Sequence, residues 1–163
     1  MLTEHEHDAL AQELDRYPDR RAASIDCLLR LQESRGGWLS DEALEDLAPL
    51  LDMSVHELDA LATFYNRLHR RPVGRHLIQI CDSATCWIMG SETVCAVLRE
   101  RLGIDLGCTT PDGRFTLLPT QCLGACERAP VLAIDDEQHG GLEPPGLTHR
   151  LDQILADYAE VKR

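Results

Sequence analysis

Apolar residues recur at three- and four-residue intervals through the first third of the chain, the period of helices with one buried face. Thr3-Glu4-His5-Glu6 has the form of a capping box and precedes Leu10, Ala11 and Leu14, so a first helix is predicted there, ended by Pro18. Residues 20–32 place Ala23, Ile25, Leu28, Leu29 and Leu31 on a second helix, with Gly36-Gly37 as its stop. Ser40 before Asp41 and Glu42 sets an N-cap and two acids at the positive end of a third helix, running through Leu47, Leu50 and Leu51. A second capping box, Ser54-Val55-His56-Glu57, opens a fourth through Leu58, Leu61 and Tyr65. These elements predict a small helical bundle.

From His76 the pattern changes. His76 to Ile80 reads as a strand that delivers Cys81 to its C-terminal end. Gly90-Ser91-Glu92 starts a helix through Val94, Val97, Leu98 and Leu102, stopped by Gly103. Thr110-Pro111-Asp112-Gly113 is a turn, and Phe115 to Leu118 a strand leading to Cys122. Ala129 to Ile134 is expected as a further strand, with a return near Gly140 to Leu142, before a closing helix from Thr148 to Tyr158. The order β-α-β-β-(β)-α suggests an α/β sandwich of thioredoxin-like type behind the N-terminal bundle, with the division at 1–75 and 76–163. Residues 67–76 hold Arg67, Arg70, Arg71 and Arg75 and no acid, and are expected to form a solvated basic linker.

Composition narrows the possible functions. The 163 residues are 44% hydrophobic but only 4% aromatic, enough for a core built mainly from Leu, Ala, Ile and Val. A net charge of −12 argues against nucleic acid as a partner, because a phosphate backbone calls for a basic surface. Neither a signal peptide nor an apolar run of membrane-spanning length is visible, so the chain is expected to be cytoplasmic without inserting into a membrane. Thiols stay reduced in that compartment. Seven cysteines, an odd number, also fit a closed disulfide framework poorly.

Four of those cysteines form two pairs, Cys81-x4-Cys86 and Cys122-x3-Cys126. Thiolate is a soft donor suited to iron in both oxidation states, and a [2Fe-2S] cluster needs four such ligands, two per iron. Gly124 lies inside the second pair, where a residue without Cβ lets the chain bend closely around sulfur. A zinc-stabilised interaction module remains open on spacing alone. A thioredoxin-type redox disulfide does not, since neither pair is C-x-x-C. Cys27 and Cys95 fall on apolar helical positions and are expected to pack, while Cys108 is expected in a loop. Trp87, next to Cys86, suits a cover over the site, a core position or an interface alike. No Gly-x-Gly-x-x-Gly fingerprint is present, so hydride chemistry on a dinucleotide is not expected of this chain by itself.

The first cysteine pair, followed by Asp112-Gly113-Arg114-Phe115-Thr116-Leu117-Leu118-Pro119, Cys122-Leu123-Gly124-Ala125-Cys126 and Ala129-Pro130, resembles the E subunits of bacterial NADH:quinone oxidoreductase (respiratory complex I), a thioredoxin-like [2Fe-2S] ferredoxin family. The resemblance covers nearly the whole chain. It implies a [2Fe-2S] cluster on Cys81, Cys86, Cys122 and Cys126, exchanging electrons with the FMN of a flavoprotein subunit that also binds NADH. It also implies a place in a complex peripheral to the inner membrane, and a helical region that helps pack against the flavoprotein. The diaphorase subunits of NAD-linked hydrogenases and formate dehydrogenases share the motif and stand as the alternative. A cis bond before Pro130, as in thioredoxins, is a further possibility raised by the fold.

Overall fold

The computed structural model describes residues 1–158; the last five residues of the expected 76–163 domain lie outside them. The chain forms two compact units, Met1–Pro72 and Val73 onward.

The first unit contains α1 (Glu4–Leu14), α2 (Ser24–Ser34), α3 (Asp41–Leu47) and α4 (Val55–Phe64). Thr3 and Ser54 form complete capping boxes with Glu6 and Glu57, and Ser40 accepts from the Ala43 N–H, so each expected start is where the caps put it. The third helix stops earlier than expected. Pro49 has no N–H to continue the ladder, and residues Ala48–Leu50 tighten into a 3-10 turn. Leu10, Leu28, Leu31, Leu39, Leu44, Leu47, Leu51 and Leu58 fill an aliphatic core. Around it, Arg35 at the end of α2 bonds both Glu6 of α1 and Asp46 of α3, at 2.9 and 2.8 Å.

The basic stretch differs from its expected form, because residues 67–70 are fastened to this unit. The Gln32 amide donates to the Arg67 carbonyl at 2.9 Å and accepts from the His69 N–H at 2.7 Å. Leu39 N–H donates to the His69 carbonyl at 2.7 Å. Arg70 bonds Asp59 at 2.7 Å and also reaches Asp41 and the Leu39 carbonyl. With Leu68 buried in the core beside them, these bonds outweigh solvation of a charged run.

The second unit runs β1 (His76–Cys81), α5 (Ala84–Ile88), α6 (Ser91–Leu102), β2 (Phe115–Thr120), β3 (Leu132–Ile134), β4 (Glu137–His139) and α7 (Leu147–Asp157). The sheet order is β2-β1-β3-β4, with β1 parallel to β2 and antiparallel to β3, and β3 antiparallel to β4. Because side chains alternate along a strand, Ile78 and Ile80 share one face, with Phe115 and Leu117 beside them. There they pack with Val94 and Leu98 of α6 and Leu147, Leu151 and Ile154 of α7. Pro119 is tolerated in β2 because that strand is an edge.

Two expectations for the later strands need correction. The strand expected over 129–134 is only Leu132–Ile134, since Pro130 offers no N–H to the ladder. The return strand is Glu137–His139 rather than 140–142. The turn is tight because Asp135 adopts φ 54°, a left-handed conformation that Asp tolerates, so pairing restarts two residues later. Asp135 also accepts from the Leu77 N–H at 2.9 Å and pairs with His76 Nδ1 at 2.8 Å, pinning that turn to the start of β1.

Candidate metal centre

Parallel pairing decides where the cysteines meet. In the β1–β2 register Cys81 lies opposite Thr120, so the C-terminal ends of both strands finish side by side. Cys81 is the last residue of β1, and Cys122 follows the end of β2 by two residues. The Asp82 N–H donates to the Thr120 carbonyl at 3.1 Å and Cys81 N–H to the Val131 carbonyl at 3.2 Å, which holds the two loops together.

Each cysteine has a distinct local support. Ser83 leads into α5, and this short helix, which periodicity did not predict, carries Cys86. Gly124 at φ 78° turns the second loop back so that its N–H donates to Cys122 Sγ at 3.4 Å. Cys122 Sγ and Cys126 Sγ are then 3.5 Å apart, with Cys126 opening the 3-10 turn Cys126–Arg128. Cys81 and Cys86 are hydrogen-bonding neighbours of each other and are buried with Ala125, Ala129 and Val131, whereas Cys122 and Cys126 are exposed. The four cysteines thus form an inner and an outer pair at the same end of the sheet. Among the described residues, no three His, Cys, Asp or Glu side chains are disposed to hold one metal ion.

The electrostatics of the pairs follow from this placement. For Cys81, burial is the largest influence and raises the pKa. N–H donation from Ser83 and Leu123, with the Cys86 thiol, outweighs it and moves Cys81 below the usual thiol value. Cys86 is pushed up to about 11 by burial and by the neighbouring Cys81, against a bond from the Val131 N–H. Cys126 is raised chiefly by its partner Cys122. Within a pair, one thiolate makes a second one costly, and a bound cation removes that cost. An all-thiolate donor set in two pairs, with backbone N–H groups aimed at sulfur, suits a binuclear iron–sulfur cluster.

Some contributors carried no signal in the sequence. The N–H groups of Leu123 and Val131 are backbone donors that no residue type announces, and the Thr85 hydroxyl bonds Cys126 across the two loops. The remaining cysteines do not join the group. Cys27 lies in the helical core, its thiol raised to about 11 by burial; Cys95 is half-buried on α6 and Cys108 exposed. Trp87 follows Cys86 on α5 and is not a core residue. It is 58% exposed, and Ile88 and Met89 beside it are 74% and 43% exposed. The Ala129–Pro130 peptide is cis.

Comparisons with known proteins agree with this geometry. Residues 10–159 match the family described as thioredoxin-like [2Fe-2S] ferredoxin. The chain is 45% identical over 155 residues to the E subunit of the NADH-quinone oxidoreductase of Pseudomonas aeruginosa, a match covering 95% of this chain and 93% of that protein. To the corresponding E subunit of Escherichia coli K12 it is 42% identical over 152 residues, covering 93% and 91%. Among solved structures, an NAD+-reducing [NiFe]-hydrogenase in its H2-reduced state aligns with a TM-score of 0.65 at 25% identity, over 82% of this chain and 22% of the hydrogenase chain.

Proposed function

The chain belongs to the thioredoxin-like [2Fe-2S] ferredoxin family, and we propose that it is the electron-transfer subunit of the NADH dehydrogenase module of an NADH:quinone oxidoreductase. In this reading Cys81, Cys86, Cys122 and Cys126 hold the cluster, and the 76–163 domain houses it. The observation that carries the assignment is the meeting of two cysteine pairs at the paired ends of parallel strands. When bound, a [2Fe-2S] cluster supplies reversible one-electron transfer.

The residues of this chain do the rest. Burial of Cys81 and Cys86 keeps water from the inner side, while N–H donors from Ser83, Leu123, Gly124 and Val131 stabilise negative charge on sulfur. Exposure of Cys122 and Cys126 gives electrons a short route to a partner. That partner, in our reading, is the FMN- and NADH-binding flavoprotein subunit, which carries out the hydride step; the isolated chain would not oxidise NADH.

Trp87, Ile88 and Met89 form the docking surface for it. They make an exposed apolar run directly after the ligand Cys86, and Asp82, Glu92 and Glu127 are exposed acids near the same cysteines in the chain. Such a patch fits an apolar socket with a basic rim, and the net charge of −12 favours the same complementarity. None of the described helices is long and apolar enough to cross a membrane, so in this reading attachment to the inner membrane comes through the rest of the complex.

Anaerobic purification tests the reading. A coloured protein whose reduced form gives an iron–sulfur electron paramagnetic resonance signal, recovered with a flavoprotein and membrane-arm subunits, is the expected result. A colourless protein with stoichiometric zinc overturns it. Likeness to the hydrogenase supports one second reading, the diaphorase module of an NAD-linked hydrogenase. Recovery with a nickel-containing subunit would favour that assignment instead.

A further inference from the structure

The outer cysteine pair sits on a loop that is gripped from outside by a segment with no ligand of its own. Gln138 on β4 spans this loop: its amide donates to the Leu123 carbonyl at 2.8 Å, and its carbonyl oxygen accepts from the Arg128 guanidinium at 3.4 Å. Those two partners lie on either side of Cys126. Just beyond, the Gly141 N–H donates to the Arg128 carbonyl at 2.5 Å and the Leu142 N–H to the Pro130 carbonyl at 3.4 Å. Gly140 closes against the same place. A Cβ there would stand 2.6 Å from Arg128 Cβ and 2.8 Å from its carbonyl oxygen, closer than two such atoms can approach. Leu123, gripped through its carbonyl, also gives its N–H to Cys81, so the hold extends from the outer pair to the inner one.

We infer that residues 138–141 are a clamp that sets the position of the Cys122–Cys126 loop, with Gln138 and Gly140 as positioning residues for the cluster ligands. The inference rests on the ligand assignment proposed above. The clamp adds a hold from the outer side to those that already tie this loop to the inner pair, the Thr85 hydroxyl on Cys126 and the Leu123 N–H on Cys81. Loss of the outer hold would loosen the exposed cysteines, let iron escape and alter the field around the outer sulfurs.

The test compares Gln138→Leu and Gly140→Val with wild type and with Glu143→Gln, an exposed site outside the clamp. Each full-length, cluster-loaded protein is followed for iron release to a ferrous chelator, for the resonance g-values of the reduced state, and for thermal melting by circular dichroism. Both clamp variants are expected to lose iron faster, on the order of tenfold, with shifted g-values. Gln138→Leu, at an exposed side chain, keeps the wild-type melting point, Gly140→Val melts lower because its Cβ must displace Arg128, and Glu143→Gln behaves as wild type. Wild-type release and g-values in both clamp variants overturn the inference, as does faster release in Gln138→Leu that merely follows a lowered melting point. Should Gly140→Val fail to fold, Gln138→Leu decides the matter, since that side chain is exposed. If wild type itself takes up no cluster, the ligand assignment has failed and the clamp with it.

Discussion

Trp87→Ala gives the sharpest measure of the docking surface. The side chain leaves 58% of its surface to solvent. For a residue that can bury up to ~250 Å², covering that fraction removes roughly 150 Å² from water. At about 25 cal/mol per Å², this is worth ~3–4 kcal/mol. Buried area alone does not predict affinity, because association also costs rotational freedom and side-chain order. Those costs are nearly the same for wild type and variant, however, and largely cancel in the difference. Allowing for the retained methyl group and imperfect fit, Trp87→Ala should cost about 2–3 kcal/mol, within the range of a binding hot spot. That corresponds to on the order of 30- to 150-fold weaker binding. Titration calorimetry between the cluster-loaded chain and the flavoprotein subunit reads this directly. Leu106→Ala, which removes another exposed apolar side chain from the loop after α6, is the control and should change little. Affinity within threefold of wild type for Trp87→Ala, with a normal cluster spectrum, would refute the assignment of this surface.

Other expectations follow from the same structure. Alanine at any one of Cys81, Cys86, Cys122 or Cys126 should abolish or labilise the visible absorption of the cluster. Cys27→Ala should leave that absorption intact and lower stability by about 1 kcal/mol through a small core cavity, measurable in thermal melts. Glu6, bonded first by Arg35, is held at about 2 against an ordinary 4.5. Its contribution to folding is complete above the ordinary value and drains away as the pH falls from there toward 2, so Glu6→Gln should flatten the acid-unfolding curve across that window. A steep curve unchanged by the substitution would assign the acid sensitivity to other groups. A chain begun at Val73 retains the whole second core and all four proposed ligands, and should keep its spectrum while binding the flavoprotein more weakly. Full affinity in that truncation would remove the helical unit from the interface.

Features written in neighbouring residues were legible before the fold was known. The caps at Thr3, Ser40 and Ser54, the strand into Cys81 and the two cysteine pairs after β1 and β2 all have signatures a few residues long. Hidden features depend on distant partners or on backbone atoms. Nothing around Arg67 announces that Gln32 will bind both its carbonyl and the N–H of His69, so a run of arginines looked like free surface. The hairpin returns earlier than 140–142 because Asp135 turns the chain at positive φ, a conformation its residue type alone does not announce. Likewise α5 is too short for a helical period to show, and residues 140–142 read as the return of the hairpin rather than as a brace.

The side-by-side ends of β1 and β2 carry a consequence for assembly. Cys86 and Cys122 are far apart along the chain, and joining them through iron would close a loop of about 36 residues. By analogy with a disulfide, such a crosslink removes on the order of 4 kcal/mol of freedom from the unfolded chain. The cofactor would therefore act as a staple as well as an electron carrier. The staple can form only once both strands are paired, because before then the two cysteine pairs have no reason to be neighbours. Iron delivery would thus discriminate between folded and misfolded copies, and losing the cluster would loosen the sheet at the end that carries the cysteines.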